Sequence, residues 1–309
     1  MTDDSAIVDT PARALGHVRR AFPELNAGEA RALDDGWASY PYMIDDTWVF
    51  RFPRADQVER QYLKERRFLP RLAPRAAIAV PSIEYVADLP DGRTFMGHRA
   101  IHGEPLTRRG IDAMSRVARD AVVGQMVCYL RALHAFPLNE AREIGLHEGR
   151  MRDRYEELGE GAREHVFPSI SAAARADCAT LFEQFLSDAG NFAYRAVVIH
   201  NDLGGRHVLM DETPRVVGII DYGSVCIGDP TCDFRPALFD FGEEFTRKFL
   251  AEYEHDDPDR AVRSAYFHRV ADAIDGWLEG VREDAEWKID NKRAALSHAL
   301  TAYRERARA

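Results

Sequence analysis

The sequence lacks the features that mark several classes of protein. No apolar run approaches the roughly 18 residues that a membrane-spanning helix needs, and neither repeats nor low-complexity segments are present. The acidic N-terminus, MTDDS, lacks the charged-then-apolar pattern of a secretory leader. The four cysteines show no disulfide or zinc-site spacing, so we expect reduced thiols and a cytoplasmic protein.

Acidic residues outnumber basic residues in the sequence. The formal net charge of −10 argues against nucleic acid as the main partner and is compatible with a small cationic substrate. A chain of 309 residues can bury a sizeable core, as one large domain or as two lobes. Nothing in the sequence distinguishes a monomer from a dimer.

Two apolar runs, residues 197–199 and 216–220, predict the central strands of the chain, and each run ends on polar residues. A short strand over residues 208–210 lies between them. The segment Asp211-Glu212-Thr213-Pro214 predicts a turn that pairs the strands flanking it as a hairpin.

Three chemically capable side chains follow these strands. Asp202 comes after the first apolar run, His207 precedes the short strand, and Asp221 ends the last run. We expect them at the ends of neighbouring strands, facing one cleft. One carboxylate can accept a proton, while an imidazole and a second carboxylate can hold a divalent cation, which is the set that phosphoryl transfer needs. A metal-dependent hydrolase is an alternative, but it would need a further His/Asp cluster that we do not find.

Three motifs in this region resemble those of the aminoglycoside and macrolide antibiotic phosphotransferases. They are HNDLGGRH at residues 200–207, IDYG at 220–223 and GDPTCDF at 228–234. The resemblance implies an α+β, bilobal protein-kinase-like fold, with an antiparallel N-terminal sheet and a mainly helical C-terminal lobe. It also implies ATP or GTP as phosphate donor, Asp202 as the group that accepts or orients the acceptor hydroxyl, and Mg²⁺ held by His207 and Asp221.

The N-terminal part supplies candidate nucleotide contacts. Small residues Gly36, Ala38 and Ser39 lie at a predicted turn between strands, and by resemblance Ser39 lies near the phosphates; an ordinary hairpin turn is the alternative. The strand over residues 47–54 alternates, so Arg51 shares a face with Val49, opposite two phenylalanines.

The predicted helix from Asp56 to Leu69 follows that strand, with Asp56 as its N-cap. A buried Arg51 would need a partner. By resemblance that partner is Glu65, and Arg51 contacts the phosphates; a surface Arg51 at a strand edge is the alternative. The family usually has lysine at the position of Arg51.

Two further strands are predicted at residues 79–86 and 94–98. The resemblance places the interlobe connector directly after them, with His98 and Ala100 near the nucleobase. It divides the chain into a nucleotide-binding lobe, residues 1–98, and a catalytic and substrate-binding lobe, residues 99–309.

Helical patterns fill most of the remaining chain. We predict helices within 11–35, interrupted at Pro23, and over 111–136 and 169–189; others start at 239–245 or include 272–280. In the family the last region walls the acceptor site, so carboxylates there would bind a polyamine and Trp277 would pack on a sugar ring. The substrate candidates are Asp233, Glu243, Glu244, Asp272, Asp275, Trp277 and Glu279. Surface charge is the alternative for the acids, whereas for Asp229 and Asp233 we expect turn capping or support of the catalytic loop.

The sequence thus predicts a small-molecule O-phosphotransferase with an aminoglycoside as acceptor. A macrolide or another hydroxylated metabolite is the alternative substrate. A non-catalytic, kinase-like binding module is the alternative of a different class, because Arg51 and His207 replace the lysine and asparagine that are common in relatives.

Overall fold

The computed structural model describes residues 8–33, 38–55, 58–149 and 151–308. The strands run Ala30–Ala32 (β1), Ser39–Ile44 (β2), Trp48–Pro53 (β3), Ile83–Asp88 (β4), Thr94–Arg99 (β5), Glu104–Pro105 (β6), Val197–Ile199 (β7), Val208–Met210 (β8), Val216–Ile219 (β9) and Cys226–Gly228 (β10). The α-helices run Pro11–Ala21 (α1), Val58–Leu72 (α2), Arg108–Ala113 (α3), Arg116–His134 (α4), Leu138–Glu143 (α5), Met151–Gly161 (α6), Ala172–Ser187 (α7), Arg235–Phe241 (α8), Glu243–Tyr253 (α9), Pro258–Arg282 (α10) and Glu286–Arg308 (α11).

These elements form two compact units. The first comprises Met1–Leu146 and Gly205–Val225, and the second comprises His147–Gly204 and Cys226–Ala309. None of the helices in the described part of the chain combines the length and the apolar composition that a membrane span needs.

The first unit contains a five-stranded antiparallel sheet in the order β1-β2-β3-β5-β4. In β3 the predicted alternation is confirmed, because Phe50 and Phe52 are fully buried in the core under α1 while Arg51 lies on the other face. Gly97 pairs with Phe50 across β3 and β5, and the Phe50 ring occupies the space that a Cβ at residue 97 would need. The packing of Phe50 and Phe52 on one face of β3 therefore fixes the strand that carries Arg51 on its other face.

A second, three-stranded sheet of this unit has the order β6-β8-β9. The predicted hairpin is confirmed, with Val208 opposite Ile219 and Leu209 opposite Gly218. Helix α4 supports it, because the Gln125 side chain accepts a hydrogen bond of 2.7 Å from the backbone N–H of Val216.

The second unit is mainly helical. Helices α6, α7, α10 and α11 enclose an apolar core that includes Phe182, Phe267, Ile274 and Leu300. Its two-stranded sheet joins β7 to β10, with Val198 opposite Ile227. The strand β7 thus takes its hydrogen-bonding partner from residues 226–228.

Several predicted helix bounds also need correction. The helical pattern within residues 11–35 ends at Ala21, and residues 30–32 form β1. The predicted helix over 111–136 is two helices, because Ser115 adopts an extended conformation and caps α4 by accepting from the N–H of Ala118 at 3.2 Å. The helix predicted over 169–189 spans only α7, and Gly242, at φ 90°, separates α8 from α9.

Candidate functional site

The first unit brings Arg51 of β3 and Glu65 of α2 together, as predicted. The guanidinium donates through both terminal nitrogens to the two carboxylate oxygens, with Nη1 3.3 Å from Oε1 and Nη2 bound to Oε2. The Glu65 side chain is 2% exposed and that of Arg51 13%. The Arg51 Cζ lies 5.2 Å from the centre of the Tyr62 ring, one turn before Glu65 on α2. This two-point ion pair fixes the orientation of the guanidinium.

The third donor group of the Arg51 guanidinium, Nε–H, does not bind Glu65. Its Nε is buried and has no hydrogen-bond partner among the described residues. Burial alone would lower the pKa of Arg51, but the Glu65 carboxylate raises it above its ordinary value, so the cation is fully charged. A charged, buried donor without a partner is costly unless an anion accepts its hydrogen bond. A phosphate oxygen is an anionic acceptor of this kind.

Ser39 is another nucleotide contact that the sequence predicts in this sheet. Ser39 begins β2 opposite Pro53 of β3 and is buried. The predicted turn residue Gly36 and the predicted N-cap Asp56 lie outside the described residues, whereas Ala38 accepts a backbone hydrogen bond from Arg54.

His98 and Ala100 lie at the end of β5 and just beyond it. Burial and, to a smaller extent, the positive charge of Arg51 lower the pKa of His98 to about 4, so the ring is neutral near pH 7. Its Nδ1 is 2.9 Å from the carbonyl oxygen of Arg99, a distance that identifies Nδ1 as the protonated nitrogen. The N–H of Ala100 donates to the carbonyl of Thr47 at 2.8 Å, so this donor is already used within the sheet.

His207 and Asp221 lie at adjacent ends of the β8–β9 hairpin. The N–H of Ile220 donates to the carbonyl of His207 at 3.0 Å, which ties the two ends together. The imidazole Nε2 is 3.4 Å from Oδ2 of Asp221, and the Asp221 side chain is half exposed. Asp221 has a left-handed backbone conformation, φ 65°, which aspartate tolerates better than most residues. The hairpin thus presents one nitrogen and one carboxylate ligand at a single point.

The fit of this pair to Mg²⁺ differs between its two members. The Asp221 carboxylate is the oxygen ligand that Mg²⁺ prefers. The His207 Nε2 accepts a hydrogen bond of 2.9 Å from Nε of Arg206, so a cation at that nitrogen would have to replace this bond. His207 therefore fits a softer divalent cation better than it fits Mg²⁺.

Helix α2 contacts the segment that follows Asp221, a contact that the sequence did not indicate. The Lys64 Nζ donates to the carbonyl oxygens of Gly223 and Val225 at 3.4 and 3.5 Å. Tyr222, directly before Gly223, is fully buried and shares a 2.7 Å hydrogen bond with Tyr129 of α4. The helix that carries Glu65 and the helix behind the hairpin therefore both hold the segment that follows Asp221.

In the second unit, Asp202 lies in a turn directly after β7. The buried Asp233 carboxylate accepts from the N–H groups of His200 and Asn201, at 3.0 and 2.7 Å. The N–H of Asp202 donates to Nδ1 of His200 at 3.3 Å, and its carbonyl accepts from Gly204 at 2.9 Å. The backbone on both sides of the Asp202 side chain is thus fixed by hydrogen bonds.

Comparison with known proteins identifies the family. Residues 29–266 match the phosphotransferase enzyme family, APH, over more than half of the chain. The chain belongs to this family. The prediction of a nucleotide-dependent phosphotransferase is confirmed at the level of that family.

This phosphotransferase is 31% identical to viomycin phosphotransferase of Streptomyces vinaceus over 136 residues, which are 43% of the present chain and 46% of that protein. The match therefore spans about half the length of that relative. The fold agrees with the GDP complex of wild-type aminoglycoside 2'-phosphotransferase-IIIa at a TM-score of 0.89 and 26% identity, over 96% of this chain and 100% of the other. The GDP and kanamycin complex of APH(2")-IIia gives 0.86 at 27% identity, over 92% and 97%. The kinase-like fold is confirmed.

Two residues that were predicted to contact the substrate, Asp233 and Trp277, have surroundings that contradict this role. Asp233 is fully buried and its carboxylate binds the loop that carries Asp202, so it supports that loop instead of contacting a substrate. Trp277 is 2% exposed and packs in the core beneath α11, with the Arg293 guanidinium 5.0 Å from its ring centre. It has no free face on which a sugar ring could stack.

The remaining acidic candidates lie on helix surfaces of the phosphotransferase, and most of them have a basic neighbour. Glu243 pairs with Arg247 at 2.7 Å, Asp275 with Arg154 at 2.7 Å, Glu279 with Lys288 at 3.5 Å and Asp272 with Arg235 at 3.7 Å, whereas Glu244 is exposed in the first turn of α9. Asp229 caps the turn before α8 by accepting from Thr231, and Arg260 pairs with it at 3.0 Å. The predicted capping role of Asp229 is confirmed.

Proposed function

We propose that this phosphotransferase moves the γ-phosphate of ATP or GTP to a hydroxyl group of an aminoglycoside-type antibiotic. The observation that carries the proposal is the Arg51–Glu65 pair, which holds a charged guanidinium in place and leaves its Nε donor buried without a partner among the described residues. Both similar structures named above hold GDP, and one holds kanamycin, which supports a guanine nucleotide and an aminoglycoside as the first pair to test.

In this proposal the residues of the first unit bind the nucleotide. Arg51, oriented by Glu65, donates to phosphate oxygens, and Ser39 lies near them at the start of β2. His98 and Ala100 border the nucleobase, within a nucleotide-binding lobe of residues 1–98. His207 and Asp221 would hold Mg²⁺. When bound, that ion neutralises phosphate charge as the transfer proceeds.

Asp202 acts on the acceptor, within a catalytic and substrate-binding lobe of residues 99–309. Its carboxylate accepts the proton of the acceptor hydroxyl or orients that group, the hydroxyl oxygen bonds to the γ-phosphorus, and the bond from phosphorus to the β–γ bridging oxygen breaks. The products are a phosphate ester and a nucleoside diphosphate. Catalysis then rests on positioning and on charge neutralisation, since the transferred group needs little covalent help.

The acidic helix surfaces of the second unit supply the acceptor site. Glu243, Glu244, Asp272, Asp275 and Glu279 would attract a polyamine, in agreement with the net charge of −10. A viomycin-type acceptor is a second candidate, because viomycin phosphotransferase is 31% identical over its matched region. A cytoplasmic location is part of the same proposal.

A phosphorylation screen tests the proposal. The purified chain is incubated with ATP or GTP and with kanamycin, viomycin or a macrolide, and both nucleoside diphosphate release and the acceptor mass are measured. We expect acceptor-dependent release and a mass gain of one phosphoryl group on kanamycin. Phosphorylated viomycin with unmodified kanamycin would favour the second candidate. Nucleotide binding without transfer to any acceptor would favour a non-catalytic binding module.

A further inference from the structure

Asn201, the residue directly before Asp202, has a left-handed backbone conformation with φ 65°. Asparagine tolerates this region better than most residues, but a single residue stays there only when its surroundings hold it. The Asp233 carboxylate binds the N–H on one side of Asn201, at 2.7 Å. That bond leaves the carbonyl side of the residue to be fixed by another group.

Arg235 supplies that group. It begins α8, two residues after Asp233, and its Nη2 donates to the main-chain oxygen of Asn201 at 3.3 Å and to the Asn201 side-chain oxygen at 3.2 Å. Two residues of one short segment therefore hold Asn201. The Asp233 carboxylate accepts from its N–H, and the Arg235 guanidinium donates to its two oxygens. Rotation of the peptide that leads into Asp202 would break at least one of these bonds.

The charge of Arg235 is also balanced locally. Its side chain is 13% exposed, and the half-exposed Asp272 of α10 lies 3.7 Å away. Burial would lower the pKa of Arg235, yet the carboxylates of Asp272 and, more weakly, Asp202 raise it above its ordinary value. The guanidinium therefore stays charged and attracts the Asp202 side chain.

We infer that Arg235 is a positioning residue for Asp202. It acts through the Asn201 backbone and through its positive charge, and it does not contact the substrate. The inference rests on the proposed function, because only that function makes Asp202 the group that handles the acceptor hydroxyl. The predicted loss therefore falls on kcat, whereas nucleotide binding in the first unit is preserved.

Four variants test the inference. Arg235→Gln and Arg235→Ala remove the charge, the latter is assayed with and without added guanidinium, and Arg235→Lys keeps the charge without the planar fork. The matched control is Arg154→Gln, which breaks another arginine–aspartate pair to α10, with Asp275 at 2.7 Å. Each variant is measured for kcat, for the KM of both substrates, for Tm and for amide exchange in the peptide of residues 197–205.

We expect Arg235→Gln to lower kcat by about tenfold or more, the loss that follows removal of a charged hydrogen bond, with the nucleotide KM changed less than about threefold. Amide exchange of residues 200–202 should accelerate in this variant and not in Arg154→Gln. Guanidinium should restore part of the activity of Arg235→Ala, and Arg235→Lys should lie between the wild type and Arg235→Gln.

The inference would be overturned by a kcat equal to that of Arg154→Gln, by unchanged exchange at residues 200–202, or by a loss of activity that only follows the folded fraction. A higher acceptor KM at unchanged kcat would also do so, since it would make Arg235 a substrate contact. If the wild type phosphorylates no acceptor, the proposed function fails, and the exchange experiment still tests the Arg235 contact on its own.

Discussion

The guanidinium of Arg51 binds both carboxylate oxygens of Glu65 and, among the described residues, has no partner at Nε. This relationship joins the central strand of the N-terminal sheet to the following helix. The pair combines two opposed properties, because it is deeply buried and still leaves one donor for a further ligand. The nucleotide-binding part of the account depends on it.

Glu65→Gln should destabilise the first unit strongly. The change leaves the Arg51 cation buried without a counter-charge, a defect that costs about 3–5 kcal/mol of unfolding free energy. Nucleotide affinity should fall as well, because the guanidinium loses its fixed orientation. Urea denaturation and calorimetric titration with GTP or ATP measure the two effects.

Asp91→Asn provides the control, because it breaks a more exposed ion pair with Arg93, at 2.6 Å, in the same unit. Its cost should stay below about 1 kcal/mol, with nucleotide affinity unchanged. Equal stability of Glu65→Gln and Asp91→Asn would show that the buried pair is not the anchor described here.

His98 should make the chain sensitive to acid. Its folded-state pKa is lowered to about 4 by burial, whereas the unfolded value is about 6.5. Between these values the unfolded chain binds more protons, so the stability contribution is complete above about pH 6.5 and is lost as the pH falls toward 4. From pH 7 to pH 5 the contribution of His98 should fall by about 2 kcal/mol.

The measurement is the unfolding free energy of the wild type and of His98→Gln at both pH values. The variant should show the smaller decrease, whereas His165→Gln, at an exposed position, should behave like the wild type. An identical pH dependence of the wild type and His98→Gln would contradict the neutral, buried state of His98.

The His207–Asp221 pair should give the enzyme an unusual metal preference. Imidazole nitrogen binds Mn²⁺ relatively better than Mg²⁺, so His207→Asn, which supplies an oxygen ligand, should lower the half-saturating Mg²⁺ concentration and reduce the ratio of Mn²⁺- to Mg²⁺-supported activity. Asp221→Asn should raise the requirement for both ions, and a chelator should abolish transfer.

Activity titrations with each ion measure these changes, and Glu212→Gln, at the far end of the same hairpin, is the control for a general charge effect. A Mn²⁺/Mg²⁺ ratio that His207→Asn leaves unaltered would exclude His207 from the metal site.

Asp233→Asn should act on the catalytic loop and not on the acceptor. An amide can accept only one of the two bonds that hold His200 and Asn201, and its NH₂ group would oppose the other backbone donor. We expect kcat to fall by about tenfold, with both KM values changed by less than about threefold. The control is Asp188→Asn, because Asp188 also accepts from a backbone N–H, that of Gly190 at 2.8 Å, but in an exposed turn. A selective rise in the acceptor KM would restore Asp233 as a substrate contact.

Local sequence patterns were sufficient wherever neighbouring residues decide the structure. The alternation around Arg51 and the turn at residues 211–214 predicted β3 and the β8–β9 hairpin, because a strand face and a tight turn are set within a few residues. The Glu65 partner followed from the family motif.

Contacts between distant parts of the chain were not accessible in this way. Helical spacing places Trp277 on a helix, but whether its face packs against α11 depends on Leu296 and Leu300, which lie about twenty residues further along the chain. The cap at Ser115 interrupts a continuous apolar period, and the period alone predicts one helix instead of two. The pairing of β7 with β10 and the Asn201 contact of Arg235 are likewise long-range.

The most direct test of the central claim is the turnover of Asp202→Asn, measured together with its nucleotide dissociation constant. The account predicts that phosphate transfer to the acceptor falls to background, because no carboxylate remains to accept or orient the hydroxyl proton, while nucleotide affinity stays within about threefold of the wild type. Normal turnover in this variant would contradict the account, since it would remove Asp202 from the mechanism.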